Sequence, residues 1–228
     1  MPYTYAYPHP AVTTDCVIFG YDTREGLSVL LIERGIEPFR GCWAFPGGFM
    51  RIDEDADTGA LRELKEETGF EPLYIEQFGA FTDVDRDPRE RVITIAYLAL
   101  VKKGPVAGGD DASKARWFPL NAVPALAFDH DRILRVAISR LREQIHFRPI
   151  GFDLLPPVFT MPQLQSLYES ILGTHFDRRN FAAKMLHLGL LEADKERSEN
   201  TPRRVPTTYR FNKDRYEEMK SGGFRIEF

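Results

Sequence analysis

One stretch constrains this chain more than any other: Gly48 to Phe70, GFMRIDEDADTGALRELKEETGF. A glycine is followed by Glu54 and then by the block Arg62-Glu63-Leu64-Lys65-Glu66-Glu67-Thr68-Gly69-Phe70. On a helix turning by about 100° per residue, Glu63, Glu66 and Glu67 share one sector, and Ala60, Leu61 and Leu64 fill the neighbouring one. An apolar stripe and an acidic stripe therefore run side by side. On a solvated helix, like charges three and four residues apart cost only about 0.2–0.5 kcal/mol, so an exposed acidic face is allowed. Lining a cleft of effective dielectric near 20, each pair at around 5 Å costs roughly 3 kcal/mol, and a divalent cation becomes the natural remedy. Carboxylate oxygens are hard donors that suit Mg2+ or Mn2+. Gly69 is placed to stop the helix, whereas Gly59 should weaken it by about 1 kcal/mol relative to alanine.

The spacing decides between these readings. The pattern G-x5-E-x7-R-E-U-x-E-E-x-G-U, with U a bulky apolar residue, is matched at every fixed position. Average residue usage makes a chance match roughly one in a million or rarer. This stretch resembles the signature box of the Nudix family, hydrolases of nucleoside diphosphates linked to another moiety. The resemblance implies that Glu63, Glu66 and Glu67 are metal ligands, with the Gly48 carbonyl completing the shell. It also implies that Glu63 is the leading candidate base near a metal-bound water, with Glu67 and Arg62 in the catalytic group. Arg62 would orient the carboxylates through charge-assisted hydrogen bonds.

Length and composition frame the rest. At 228 residues, 43% hydrophobic and 28% charged, the chain reads as one domain of about 150 residues plus a smaller one. No apolar run approaches the ~18 residues needed to span a membrane, and no signal pattern opens the chain, so a cytoplasmic location is expected. Cys16 and Cys42 are too few for a disulfide framework, carry no zinc spacing, and read as packing residues. Residues 1–149 hold 18 Lys and Arg against 23 Asp and Glu, whereas residues 150–228 hold 12 against 11. A basic local surface on an acidic protein is the more informative fact, and it is densest over 178–213.

Along the first part, Tyr3, Tyr5 and Tyr7 mark an extended arm, and Ala11 to Gly20 and Leu27 to Ile32 read as a hairpin. Glu33 to Gly47 is loop-like, and Gly47 and Gly48 allow close approach of the backbone to a metal or phosphate. Strands follow at Leu73 to Phe81, Arg91 to Val101 and Ala115 to Pro119, with Trp117 in the core. The intervening segment Asp83 to Arg91 is dense in both signs. It is either a solvated hairpin tip or a ligand-binding loop. The candidate ligand contacts are Arg40, Phe45, Asp85, Arg86, Arg89 and Arg91. In the resemblance, a further catalytic carboxylate falls at Asp110 or Asp111. Asp131 to Ile145 reads as a helix with two apolar sets, Ile133/Val136/Ala137 and Leu134/Ile138/Leu141/Ile145, and Gly151 to Val158 as a linker.

Beyond the linker, Thr160-Met161-Pro162-Gln163 fits a capping box, Leu164, Leu167, Tyr168 and Ile171 follow at helical spacing, and Gly173 ends that helix. Asp177 caps a second helix, with Phe181, Met185 and Leu188 on one face and Arg179, Asn180, Ala183, Lys184 and His187 opposite. A short strand at 190–192, a polar loop with Arg197, Arg203 and Arg204, and a returning strand at 207–211 complete a winged helix-turn-helix layout. Candidate DNA contacts are Arg178, Arg179, Asn180, Lys184, Arg203 and Arg204.

Nearly the whole chain is similar to the Nudix-related transcriptional regulators of bacteria. The segments Phe159 to Leu164 and Asp177 to Phe181 carry that resemblance to the DNA-binding module. It implies an α/β (α+β) architecture: a Nudix α/β/α sandwich with a mixed sheet over 1–150, then a winged helix-turn-helix over 151–228. It further implies a homodimer on a palindromic double-stranded DNA operator. The effector would be of the ADP-ribose type, bound with Mg2+ or Mn2+, and the regulated genes would serve NAD or sugar metabolism. The intact box leaves hydrolysis open. A plain pyrophosphohydrolase with a dimerising C-terminal module, and a catalytically idle sensor, are the rival readings.

Overall fold

A computed structural model describes residues 5–72, 75–106, 112–146, 151–194 and 207–220. The chain divides into two compact units, Met1–Gly20 with Ser28–Ala137, and Tyr21–Leu27 with Ile138–Phe228. The sheet of the first contains β1 (Ala11–Asp22), β2 (Gly26–Arg34), β3 (Trp43–Ala44), β4 (Gly47–Phe49), β5 (Glu76–Phe81), β6 (Val92–Lys102) and β7 (Ala112–Pro119). Its order is β3-β2-β1-β6-β5, with β4 added on β1 and β7 on β2. β1 is buried along nearly its whole length, the mark of a strand covered on both faces. Gly20 on this strand faces Trp117, whose ring would lie 2.6 Å from any added Cβ.

The acidic box forms helix α1 (Ala56–Thr68), started by Asp55 and ended by Gly69 in the left-handed conformation. Ala60 and Leu64 seal it onto Cys16, Ile18, Leu30, Tyr97, Ala99 and Val101. Burying a side chain such as Leu64 is worth roughly 1.5–3 kcal/mol. Leu61, expected in the same stripe, is exposed, because the helix rests on the sheet along a seam narrower than its full apolar sector. Glu33 to Gly47 is less irregular than its glycines and prolines imply. Trp43 and Ala44 pair with Glu33 and Ile32, and Thr13, Thr14 and Asp15 on β1 oppose Phe49, Gly48 and Gly47.

Helix α2 (His130–Gln144) buries Ile133, Leu134, Ala137 and Leu141, followed by Ile145 just beyond its end, but Val136 is exposed and leaves the first expected apolar set incomplete. Cys16 is buried as expected. Cys42 is exposed and is not a packing residue.

In the second unit, Gly151 to Val158 is no bare linker. A 3-10 turn at Phe152–Leu154 buries Phe152, Leu154 and Leu155, and Phe152 stacks on Phe211 at 4.2 Å. β8 (Phe159–Thr160), which sequence reasoning missed, pairs with β10 (Thr208–Phe211), and β10 pairs with β9 (Leu191–Ala193). Helix α3 (Met161–Leu172) carries the expected capping box, Thr160 N–H donating to Gln163 at 2.8 Å, and ends at left-handed Gly173. Helix α4 (Arg178–His187) is capped by Asp177 and buries Phe181 and Met185. Helix α5 (Lys213–Lys220) is short and highly charged, with Asn212 accepting from the Arg215 N–H. Among the described residues no helix is long and apolar enough to cross a membrane.

Candidate functional site

Arg62 is the hub of α1. Its guanidinium donates to Glu54 at 2.9 and 2.5 Å, to Glu63 at 2.6 Å, to Glu66 at 3.2 Å and to the Phe49 carbonyl at 3.3 Å. Those bonds, with one from the Arg51 N–H, hold the Glu54 carboxyl down at about 2 and keep Arg62 firmly protonated. Glu54 also explains Gly59. An added Cβ there would lie 3.1 Å from a Glu54 oxygen, so the helix carries a poor helix former to seat a carboxylate against its side.

Opposite α1, the segment from Trp43 to Phe49 arches over a cleft of about 290 Å³. Gly48 lies against Glu63 so closely that any Cβ would stand 2.6 Å from its carboxylate, and the Gly47 N–H donates to Glu67 at 2.8 Å. Glu63, Glu67 and the Gly48 backbone thus share one wall. Glu66 is half exposed, paired with Arg62 and Arg51, and does not line the cleft. Among the described residues no three His, Cys, Asp or Glu side chains converge as a ligand group by themselves. Mg2+ typically takes one or two carboxylates and fills its shell with waters and substrate phosphates, so the hard oxygens of Glu63, Glu67 and Gly48 fit such an ion.

The far wall is a buried polar network. Arg86, with its side chain 3% exposed, donates to Asp129 at 2.7 and 3.2 Å and lies 3.5 Å from Asp15. His130 accepts the Phe45 N–H on Nδ1 at 3.0 Å and places Nε2 3.7 Å from Asp15. Burial lowers the basicity of this imidazole, with Asp15 opposing. Burial works to raise the Asp87 carboxyl, but two Arg89 contacts at 3.0 and 2.7 Å outweigh it and hold the group below its usual range. Arg89 in turn lies over Phe49 and Phe128, at 5.2 and 5.8 Å from their ring centres. Phe128 and Phe39 both have left-handed backbones, and their rings meet at 4.8 Å. Such conformations are costly for aromatic residues and cluster where function over-determines them.

Of the expected site residues, Gly48, Glu63, Glu67, Phe45, Arg86 and Arg89 line this cleft. Arg62 stands behind it. Arg40, Asp85 and Arg91 are exposed and off its lining, Arg91 donating to the Asp83 carbonyl at 2.9 Å. Asp110 and Asp111 lie outside the described residues. The solvated-tip reading of 83–91 fails at its centre, where Arg86 and Asp87 are buried. Asp15, Arg34, Phe128 and His130 line the cleft without having been singled out. Asp15 left one legible signal, a carboxylate inside the apolar strand AVTTDCVIFG.

In the second unit, Arg178, Arg179, Asn180 and Ala183 are exposed along α4, and Lys184 is half-buried. Among the described residues the side chains of Arg178, Arg179 and Asn180 have no protein partner. On β10, Arg210 pairs loosely with Asp194, just beyond β9, at 3.6 Å. Arg203 and Arg204 lie outside the described residues.

Comparison with known proteins fits both halves. The NUDIX domain profile matches residues 9–137, and the NrtR DNA-binding winged helix domain profile matches residues 151–211. The ADPR responsive transcriptional repressor NtrR of Acinetobacter baylyi is 34% identical over 90% of this chain and 83% of its own length. An ADP-ribose pyrophosphatase of Methanocaldococcus jannaschii is 43% identical over 57% of this chain and 73% of its own. Shewanella oneidensis NrtR, solved in complex with a 27mer DNA, superposes with a TM-score of 0.70 at 28% identity, covering 94% of this chain and 97% of that one.

Proposed function

The chain belongs to the Nudix family and carries an NrtR-type DNA-binding winged helix domain; from that premise we propose that it is a DNA-binding transcriptional regulator whose Nudix cleft takes an ADP-ribose-type nucleoside diphosphate sugar as effector. The observation that carries this reading is the pairing, in one chain, of a built diphosphate-sized cleft with a helix that leaves Arg178, Arg179 and Asn180 free for nucleic acid. The similarity over 90% of the chain to an ADP-ribose-responsive repressor supports both ends at once.

In this reading Gly48, Glu63 and Glu67 would hold a divalent cation, Mg2+ or Mn2+, and Glu66, paired with Arg51 and Arg62, would join them only by giving up the Arg51 contact. When bound, such an ion neutralises diphosphate charge and activates water. Arg62 orients Glu63 and Glu66 through its contacts at 2.6 and 3.2 Å. Arg89, steadied by Asp87, faces the phosphates, while Arg86 braces Asp15 and Asp129 beneath them. On DNA, Arg179 and Asn180 reach base edges from α4, and Arg178 and Lys184 serve the backbone. The domain boundary near residue 150 falls between the two profile matches, although the compact units part earlier, between Ala137 and Ile138, and a homodimer presents two winged helices to a palindromic site. Occupancy of the cleft shifts the equilibrium between DNA-competent and released forms.

Turnover is a second activity, favoured by the unbroken set Arg62, Glu63, Glu66 and Glu67 and by the identity to a pyrophosphatase over the Nudix region. Calorimetric titration of the full chain with ADP-ribose, alongside product analysis with Mg2+, tests both. Saturable binding is expected from the wild type, and Glu67→Gln should abolish any Mg2+-dependent cleavage. No binding of any nucleoside diphosphate sugar would overturn the effector assignment. Cleavage undiminished in Glu67→Gln would overturn the metal assignment.

A further inference from the structure

The arch from Trp43 to Phe49 carries the Gly48 carbonyl; its ends are β3 and β4, paired to β2 and β1, and Phe45 and Pro46 between them have no strand pairing to hold them. Its hydrogen bonds locate the holders. The Trp43 carbonyl accepts from the Ala127 N–H at 2.8 Å, the Pro46 carbonyl accepts from the Cys16 N–H at 2.8 Å, and the Gly47 N–H reaches Glu67 at 2.8 Å. Between these anchors the Phe45 N–H donates to His130 Nδ1 at 3.0 Å. That imidazole is 3% exposed, stacks on the Phe45 ring at 4.9 Å and 15°, and opens α2 directly after Asp129.

An imidazole that accepts on Nδ1 must carry its proton on Nε2. The group facing Nε2 is Asp15, on β1, which is itself flanked by Arg86. Arg86 is fixed by both oxygens of Asp129, and Asp15 stands opposite Gly47 in the β1–β4 register. One buried chain, Asp129–Arg86–Asp15–His130, therefore ends on the backbone of the arch, three residues before Gly48.

We propose that His130 is a positioning residue: in its Nε2-protonated tautomer, enforced by Asp15, it fixes the arch so that the Gly48 carbonyl and the Glu67 carboxylate face one divalent cation. This deepens the metal and effector reading given above and rests on it. Outer partners that orient a ligand set typically change metal affinity by about 10–100-fold when removed. The effect is on geometry, so it is carried by the acceptor at Nδ1 and not by the aromatic ring.

The acceptor can be kept or moved by substitution at this one position. In His130→Asn the amide oxygen occupies the place of Nδ1, whereas in His130→Gln it falls near the place of Nε2. Mn2+ binding to the full chain, read from the free-ion resonance without nucleotide, should weaken about tenfold or more in His130→Gln and stay within about threefold of wild type in His130→Asn. Equal losses in both variants, unchanged affinity in both, or a wild type that binds no Mn2+ would overturn the proposal. If either variant fails to fold, long-range proton–nitrogen correlation on the wild-type imidazole decides. A proton on Nε2 upholds the assignment and a proton on Nδ1 ends it. A wild type that binds Mn2+ but ignores ADP-ribose would count against the effector reading alone.

Discussion

Charge on α1 is answered inside the molecule, whereas at the start of α4 the charges of Arg178 and Arg179 are left to the solvent. Around α1 one guanidinium, Arg62, meets Glu54, Glu63 and Glu66, and Glu67 is held by a backbone amide. At the start of α4, Asp177 accepts from the backbone amides of Arg179 and Asn180, and among the described residues the side chains of Arg178, Arg179 and Asn180 meet no protein partner. The first helix is built to hold a small ligand in one geometry. The second is built to be completed by a large one whose own charges supply the partners. A preorganised site announces itself by fixed spacing, and a solvated reading face does so only by composition and order.

The largest effect expected from breaking this contrast is at the hub. Arg62→Met leaves neighbouring carboxylates without a common partner, and should lower stability by about 1–3 kcal/mol and ADP-ribose affinity by about 10–100-fold. Melting curves and calorimetry would show both losses, with DNA affinity in the absence of ligand much less affected. On the other helix, Arg179→Ala should cost about 1–3 kcal/mol on specific DNA and relax sequence preference, leaving ADP-ribose affinity alone. Equal losses on specific and random duplexes would move Arg179 to the phosphate backbone. Removing the cap, Asp177→Ala, should destabilise the second unit by about 1 kcal/mol, visible as lower protection of α4 amides in hydrogen exchange.

The buried imidazole yields a smaller, pH-dependent effect. His130 has its folded pKa below the ordinary value of 6.5, so its neutral form stabilises the fold above that pH. Stability is lost as pH falls from about 6.5 toward the lowered folded value. His130→Asn should flatten that part of the curve, and an unaltered slope would show that other groups carry it. Smallest of all is Gly59→Ala, where a helix-propensity gain of about 1 kcal/mol is offset by the contact with Glu54. Thermal stability should barely move.

The same contrast explains what the sequence disclosed. Glu63, Glu66 and Glu67 could be placed on one helix because a short periodic element fixes their spacing, and Thr160, Gly173 and Asp177 because caps use local chemistry. Asp15, Asp129 and His130 were not legible as a group, since they meet only after β1, the 83–91 loop and the start of α2 are brought together by long-range pairing. Arg86 stood among nine residues of mixed sign, and nothing local marks it as the one that turns inward. β8 was missed because two residues carry no period, and its pairing with β10 is set almost fifty positions away.

The central claim, that a metabolite site and a DNA reader are coupled in one chain, meets its most direct test in fluorescence anisotropy. A labelled duplex from the chain's own upstream region would be titrated with protein at fixed salt, with and without ADP-ribose. Binding at least about a thousandfold tighter than to random duplex is expected, with an affinity change of about 5–150-fold when ADP-ribose is added. Equal affinity for both duplexes, or a specific complex indifferent to saturating ADP-ribose, would contradict it.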